Sequence, residues 1–222
     1  MNFTTDSIHS IHTRLLKMRL FCVSICVLFA LTAPAAALDR TLSRQVLVEI
    51  NLARSQPAAY AAFLREFRDR FRGSSYLLPG DTIRVRTSEG VKAVDEAIRF
   101  LARQKKLPPL SWSDGLAAAA ADLAQEQGRS GDTGHVGRKS RGMRERIEQH
   151  GQWESSIAEN IGYGPEDPRN MVMQLIVDDG VPGRGHRKNI FGTAFKVAGV
   201  ACGSHARFKS MCVIDFAGGF RE

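Results

Sequence analysis

The feature that most constrains the fold is a pair of strand-like segments near the C-terminus, Lys196–Cys202 and Met211–Phe216, joined by a polar turn. In each segment a cysteine, Cys202 or Cys212, shares a face with the apolar residues two and four positions away. If both faces are buried, the sulfurs meet across a hairpin, where Cα separations suit a disulfide. The alternative is a pair of free buried thiols.

Helical patterns precede this hairpin, and the class they predict is α+β, with helices packed on a small sheet. Five consecutive alanines, Ala117–Ala121, allow a neighbouring element to pack very close, so their helix is expected to be central. Ile157–Gly164 is short and punctuated by glycine, which favours a strand or turn. The predicted helices are Leu42–Ala53, one beginning near Pro57, one around Val94–Leu101, Leu116–Gln127, Ser140–Glu148 and one beginning at Asp167–Pro168.

The N-terminus resembles an export signal. Arg14, Lys17 and Arg19 form a basic region before the apolar stretch Leu20–Leu31, and Ala35–Ala37 has the small residues of a cleavage site. A signal peptide over 1–37 leaves a single domain over 38–222, with its core at about 42–216, in the periplasm or outside the cell. The alternatives are an uncleaved anchor and a start at Met18.

Cleavage removes three basic residues and one acidic residue, which lowers the net charge from +8 to +6. This balance is not a nucleic-acid signature, and it favours anionic surfaces only weakly. The cluster Arg138, Lys139, Arg141, Arg144 and Arg146 is compatible with an anionic ligand or head group, but it also fits a solvated helix face.

Histidines and carboxylates beside glycines recur over a short stretch of the chain. His135 follows Gly134, Glu159 lies in Ala158–Gly164, Asp178 precedes Gly180, and His186 follows Gly185. Imidazoles and carboxylates of this kind can bind zinc or another divalent cation, run acid–base chemistry or form a buried polar network. Spacing alone does not show that they converge.

Other reaction classes find less support. The chain has no G-x-S-x-G elbow, and oxidation of both cysteines would exclude a cysteine nucleophile. Gly183–Gly185 lacks the third glycine of a dinucleotide loop. His150 is explained by a helix end, and His205 is expected to be solvated in the hairpin turn.

Four motifs in order resemble those of the CAP superfamily, also called the SCP or pathogenesis-related-1 type domain. They are Leu110–Leu116, Gly134-His135, Ala158–Gly164 and Gly185–Ile190, and the resemblance extends over about 42–216. The Asp178–Pro182 segment is similar to bacterial members.

This resemblance implies a three-layer α-β-α sandwich with a small, mostly antiparallel sheet and a cleft faced by two histidines and two acidic residues. His135, Glu159 and His186 match three of those positions, and Asp178 is the candidate for the fourth, where eukaryotic members have Glu. Asn160 and Tyr163 belong to the same cleft motif, and 73–90 has no clear counterpart in the family.

The leading hypothesis is a secreted module that binds a small apolar or anionic ligand, and the resemblance adds lipid or sterol and a divalent metal as candidates. One alternative is a zinc-dependent hydrolase in which His135 and His186 hold the metal and Glu159 activates a water. The other is a non-catalytic structural or interaction domain.

Overall fold

The computed structural model describes residues 37–80 and 82–222. The predicted signal peptide, except residue 37, and the alternative start at Met18 therefore lie outside the described residues. In the part of the chain that is described, no helix is both long and apolar enough to cross a membrane.

Seven helices and seven strands follow one another in the described part of the chain. In order they are α1 Arg40–Ser55, α2 Pro57–Arg68, β1 Phe71–Arg72, β2 Ser75–Tyr76, β3 Val85–Arg86, α3 Val91–Arg103, β4 Ser111–Trp112, α4 Asp114–Ser130, α5 Met143–His150, β5 Gln152–Tyr163, α6 Pro168–Val177, α7 Gly185–Ile190, β6 Val197–His205 and β7 Lys209–Arg221.

The main sheet has the order β4-β6-β7-β5, and it is antiparallel except for the short parallel pair β4–β6. One face packs against α1 and α6, with α2 and α3 in the same hydrophobic core. The other face packs against α4, which in turn contacts α5. These layers confirm the predicted α+β sandwich and its mostly antiparallel sheet.

The alanine-rich helix packs as closely as its sequence predicts. A Cβ placed on Gly199 of β6 would lie 2.0 Å from the backbone nitrogen of Ala117, so only glycine fits at this crossing. Ala119, Ala120 and Ala124 are fully buried beside the sheet. The small side chains of α4 thus let helix and sheet backbones approach each other.

The hairpin and its disulfide are confirmed. Cys202 and Cys212 are register partners in β6 and β7, their Cα atoms are 4.1 Å apart, and a disulfide joins them. Both cysteines lie in the core on the α1 side of the sheet.

Buried Arg54 joins the first helix to a distant part of the chain. It lies in the last turn of α1, and its guanidinium donates to the carbonyls of Pro108, Ile190 and Gly192. Pro108 follows α3, and Ile190 and Gly192 lie at the C-terminal end of α7, so one buried cation holds three segments together.

Two local expectations were wrong, and a third element is longer than expected. Ser140 does not cap a helix, because α5 begins at Met143 after Gly142. The strand or turn predicted at Ile157–Gly164 is a strand, and it belongs to β5, which is 12 residues long. His205 is 3% exposed, not solvated: it ends β6, and its ring bonds to the carbonyl of Asp132 and to two turn amides.

The segment from Phe71 to Gly90, which we call the arm, contains its own small sheet. Strands β1, β2 and β3 pair antiparallel in that order. Rings of Phe67, Phe71 and Tyr76 contact one another at its base. The alternation of Ile83, Val85 and Thr87 with Arg84 and Arg86 predicts a short exposed strand or arm. That strand is confirmed as β3, within a larger folded element.

Candidate functional site

His135 belongs to a chain of polar groups that ends inside the protein. Its Nδ1 lies 2.8 Å from Oε1 of Glu159, and Oε2 of Glu159 accepts from Nη2 of Arg146. The His135 side chain is 55% exposed, whereas those of Glu159 and Arg146 are 2% and 0% exposed. Because a carboxylate only accepts, Nδ1 carries the proton and Nε2 is the nitrogen left for a ligand.

This arrangement raises the pKa of His135. The hydrogen bond to Glu159 is the main cause, and the negative charge of Glu159 adds to it against the opposing effects of burial and of Arg146. The imidazolium form is thus stabilised on the wall of the site.

His186 is held by a second carboxylate. Asp178 directly follows α6 with φ of 57°, a left-handed conformation that Asp tolerates better than most residues. Its Oδ1 lies 2.7 Å from Nδ1 of His186, and its Oδ2 accepts from the backbone nitrogen of His186 at 2.9 Å. The ring is thereby oriented like that of His135, with Nδ1 on a buried carboxylate.

Two asparagines join α7 to the central sheet. Asn160 of β5 donates to the carbonyl of His186 at 3.0 Å, and Asn189 donates to Oδ1 of Asn160 at 2.8 Å. Asn160 is fully buried, so its hydrogen bond fixes the position of His186 relative to β5.

Tyr163 fixes the loop that carries His135. Its hydroxyl accepts from the backbone nitrogen of Gly134 at 3.0 Å and donates to Oε1 of Gln127 at 3.3 Å. Nε2 of Gln127 donates to the carbonyl of Gly134 at 2.7 Å. The residue before His135 is therefore held by both of its backbone groups.

Both histidines line one cavity of about 490 Å³. Asp178 and Tyr163 also line it, whereas Glu159 and Asn160 are not part of its lining and act through the groups they hold. The structure therefore brings all six predicted site residues together, four on the wall and two as supports. Apolar lining comes from the arm and α6, and includes Phe71, Tyr76, Leu78, Val85, Met173 and Leu175.

Ion pairs attach the arm to the loop that holds His186. Arg184 pairs with Glu89 at 2.6 Å and with Glu96 at 2.7 Å. The carboxylate of Asp179 accepts from the backbone nitrogens of Ser88 and Glu89. The hydrogen bond from Arg184 is the main cause that lowers the pKa of Glu89 to about 2. The segment that lacked a family counterpart is thus a wall of the candidate site.

Two buried charged residues were missed by sequence reasoning. Arg146 was grouped with surface cations, yet it lies on the inward stripe of α5, one position before the buried Ile147. Asp215 is the register partner of Glu159 in β7 and is fully buried. Burial is the main cause that raises the pKa of Asp215 well above its usual range, and the charge of Glu159 adds to it.

The other members of the basic cluster remain on the surface. Arg138 pairs with Asp132 at 3.2 Å, and Arg144 pairs with Glu148 at 3.6 Å. These partners reduce the positive charge of the cluster. Weak contact with anionic surfaces remains a prediction.

The two rings are held in the way that metal-binding histidines are. In each ring Nδ1 is held by a carboxylate, the arrangement that orients metal-binding histidines. Within the described residues, no three His, Cys, Asp or Glu side chains are placed to hold one ion. A cation on the two Nε2 atoms would take its remaining ligands from water or a bound molecule.

Comparison with known proteins identifies the family. The model of the cysteine-rich secretory protein family, CAP, matches residues 51–216, which is most of the chain. No curated protein matches the chain significantly.

Solved structures with detectable similarity include proteins from three bacteria. An extracellular protein containing an SCP domain from Bacillus anthracis is 17% identical over 58% of this chain and 38% of its own, with a TM-score of 0.41. An outer surface protein from Borrelia burgdorferi is 19% identical over 50% of this chain and 78% of its own, with a TM-score of 0.42. A cysteine-rich secretory protein from Staphylococcus aureus is 16% identical over 64% of this chain and 45% of its own, with a TM-score of 0.38.

Proposed function

Because the chain belongs to the CAP family of cysteine-rich secretory proteins, we propose that it is an exported module that binds a small ligand between His135 and His186. The observation that carries this proposal is the cavity of about 490 Å³ onto which both His–carboxylate pairs open. Its size lies within the range of ligand pockets, and its lining combines apolar side chains with a few placed polar groups, as such pockets usually do.

The lining selects the chemistry of the ligand. The apolar side of the cavity suits an apolar body such as a lipid or sterol, and the two imidazoles suit a polar or anionic group. The carboxylates on the lining are already occupied: Asp178 by His186, and Asp179 by two backbone amides. They therefore oppose an anionic group less than free carboxylates would.

A divalent cation such as zinc fits the same position as a second component. The Nε2 atoms of His135 and His186 would hold it, and it would supply a positive charge to an anionic ligand group.

The geometry does not favour the hydrolase alternative. Both oxygens of Glu159 are engaged, one by His135 and one by Arg146, and its side chain is 2% exposed. A carboxylate that activates a water needs an oxygen within hydrogen-bond reach of that water.

Export is supported by two features of the chain. The basic and apolar pattern before Leu38 is that of a signal peptide, and the disulfide between Cys202 and Cys212 is of the kind that persists in oxidising compartments. The proposed location is the periplasm or the cell exterior.

The cavity is tested with anilinonaphthalene sulfonate, a probe with an apolar body and an anionic group, titrated by calorimetry. Leu78→Trp fills the cavity and should weaken binding at least about ten-fold, whereas Leu77→Trp, at a neighbouring position outside the lining, should bind as the wild type does. Equal affinity of the two variants would place the probe elsewhere and refute the proposed pocket.

The metal component has its own test. Calorimetric titration with Zn²⁺ should show binding to the wild type and none to the His135→Ala/His186→Ala double variant. His150→Ala is the matched control, because His150 pairs with Asp122 and does not line the cavity. Unchanged zinc affinity in the double variant would refute the proposed metal site without affecting the proposed ligand pocket.

A further inference from the structure

We propose that the ligand is an extended peptide segment that adds to the sheet at the free edge of β5, beside Ile161 and Tyr163. This inference rests on the proposed function and names the class of ligand. In the order β4-β6-β7-β5, strand β5 has no strand partner on its outer side among the described residues. Ile161, Gly162 and Tyr163 of this edge strand line the cavity.

The direction of each backbone group follows from the pairing of β6 with β7. The nitrogen of Cys202 donates to Oγ of Ser43, and its carbonyl accepts from the nitrogen of Asp39, so both groups face away from β7. The Cα separation of 4.1 Å from Cys212 is that of a non-hydrogen-bonded pair. The backbone groups of Cys212 therefore face β5, where its register partner is Gly162.

The backbone N–H and C=O groups of successive strand residues point alternately toward and away from a neighbouring strand. If Gly162 bonds to β7, the N–H and C=O of Ile161 and Tyr163 point away from the sheet. Two contacts agree with this alternation along β5. The nitrogen of Gly164 points inward and donates to the carbonyl of Ser210, and the carbonyl of Glu159 points outward and accepts from Asn189. Outside the β5–β7 pairing, none of the described residues hydrogen-bonds to the N–H or C=O of Ile161, although Ile161 is 6% exposed.

An added strand would lie beside both histidines. The side chain of Glu159, which holds His135, lies on the α5 side of the sheet, as its bond to Arg146 shows. The side chain of Asn160 lies on the opposite side, where it binds the carbonyl of His186. The two imidazoles are thus held from opposite faces of β5, and both line the cavity along its edge.

The cavity also accommodates side chains of such a peptide. Successive residues of a strand point to opposite sides, so alternate residues would enter the apolar part of the cavity formed by the arm and α6. An acyl chain could fill that part, but it offers no N–H donors and would leave the outward carbonyls of β5 without partners. Only a peptide backbone supplies both donors and acceptors at strand spacing.

The test uses the full chain and a phage-displayed library of random hexapeptides. Peptides should be enriched on the wild type relative to Leu78→Trp, and a synthetic copy of an enriched peptide should bind in calorimetry. Amide hydrogen exchange followed by NMR should then slow at Ile161 and Tyr163 at least about ten-fold in the complex. The amides of Asn160 and Gly162, already bonded to β7, serve as internal controls and should change little.

A pair of substitutions isolates the outward N–H. Ile161→Pro removes it, and proline is tolerated at the free edge of a sheet. Ile161→Val trims the side chain but keeps the N–H, so it measures the effect of trimming alone. Ile161→Pro should weaken peptide binding about ten-fold more than Ile161→Val does, the loss of roughly one hydrogen bond.

Three outcomes would overturn the proposal. One is no enrichment of peptides together with binding of dodecanoate, which would indicate an acyl ligand and leave the proposed pocket intact. Another is a bound peptide that leaves exchange at Ile161 and Tyr163 unchanged. The third is equal peptide affinity of the proline and valine variants. If Ile161→Pro does not fold, the exchange measurement on the wild type decides.

Discussion

At the scale of single residues, the candidate site depends on two buried charged groups behind its visible histidines. Glu159 orients His135, and Arg146 neutralises Glu159 inside the protein. Asp215 lies opposite Glu159 on the neighbouring strand and is fully buried. The orientation and charge of the exposed His135 ring therefore depend on charged groups that are buried in the core.

Removal of Arg146 should destabilise the fold by about 3–5 kcal/mol, because it leaves the carboxylate of Glu159 buried without a counter-ion. We expect Arg146→Met to show this loss in urea unfolding at pH 7. The double variant Arg146→Met/Glu159→Leu should recover much of it, since no unpaired charge remains. A double variant as unstable as Arg146→Met alone would contradict this explanation.

Asp215→Asn should be more stable than the wild type at pH 7 and lose that advantage as the pH falls toward 4. The raised pKa of Asp215 means that its contribution to stability is fully present below the unfolded pKa of 3.8 and is lost as the pH rises toward the folded value. Unfolding free energies across this range are the measurement. Glu66→Gln, at an exposed position, is the control, and a wild type whose stability matches Asp215→Asn at every pH would refute the assignment.

The residue scale also shows what sequence can and cannot reveal about the site. His135, Glu159, Asp178 and His186 were all found from their neighbours in sequence, because each lies in a glycine-containing motif. Arg146 and Asp215 have no such motif. The available signal was their neighbours: Arg146 precedes buried Ile147, and Asp215 lies between buried Ile214 and Phe216. Burial of a charge depends on packing that spacing alone does not determine.

At the scale of elements, the arm is the part that sequence described least. Alternation at Ile83–Thr87 predicts a short strand, and β3 confirms it. Its role as a wall of the cavity depends on ion pairs between residues about 90 positions apart, such as Glu89 and Arg184. The helices and the hairpin, whose signals are local periodicities, were predicted far better than these long-range contacts.

The ion pair between Glu89 and Arg184 should hold the arm in place down to strongly acidic pH. Because the pKa of Glu89 is lowered to about 2, its contribution to stability is present above the usual value of 4.5 and is lost as the pH falls through about 2. Glu89→Gln should therefore be less stable than the wild type by an amount that is constant from pH 7 to pH 5. Unfolding free energies measure this difference, with exposed Glu166→Gln as the control; a difference that disappears by pH 5 would contradict the assignment.

The disulfide should stabilise the hairpin by about 2–4 kcal/mol. We expect Cys202→Ala/Cys212→Ala to fold with a lower melting temperature, measured by circular dichroism, because the two residues are already neighbours in the sheet. Reduction of the wild type should produce the same change in melting temperature and leave the double variant unaffected. If reduction left the melting temperature of the wild type unchanged under conditions that expose the disulfide, this prediction would be contradicted.

At the scale of the whole molecule, the sheet edge explains how distant residues form one site. Residues of β5 hold His135 from one face of the sheet and His186 from the other, so the cavity opens at the edge where both faces meet. The family resemblance predicted that these residues share a cleft. The position of the cleft at an open strand edge could be seen only in the three-dimensional arrangement.

The central claim is that His135 and His186 face the same ligand-binding cavity. NMR of the histidine rings during titration with anilinonaphthalene sulfonate tests it most directly. The signals of His135 and His186 should shift together with one dissociation constant, whereas that of His150, which pairs with Asp122 and does not line the cavity, should stay in place. Binding that shifts only one of the two rings, or neither, would contradict the claim.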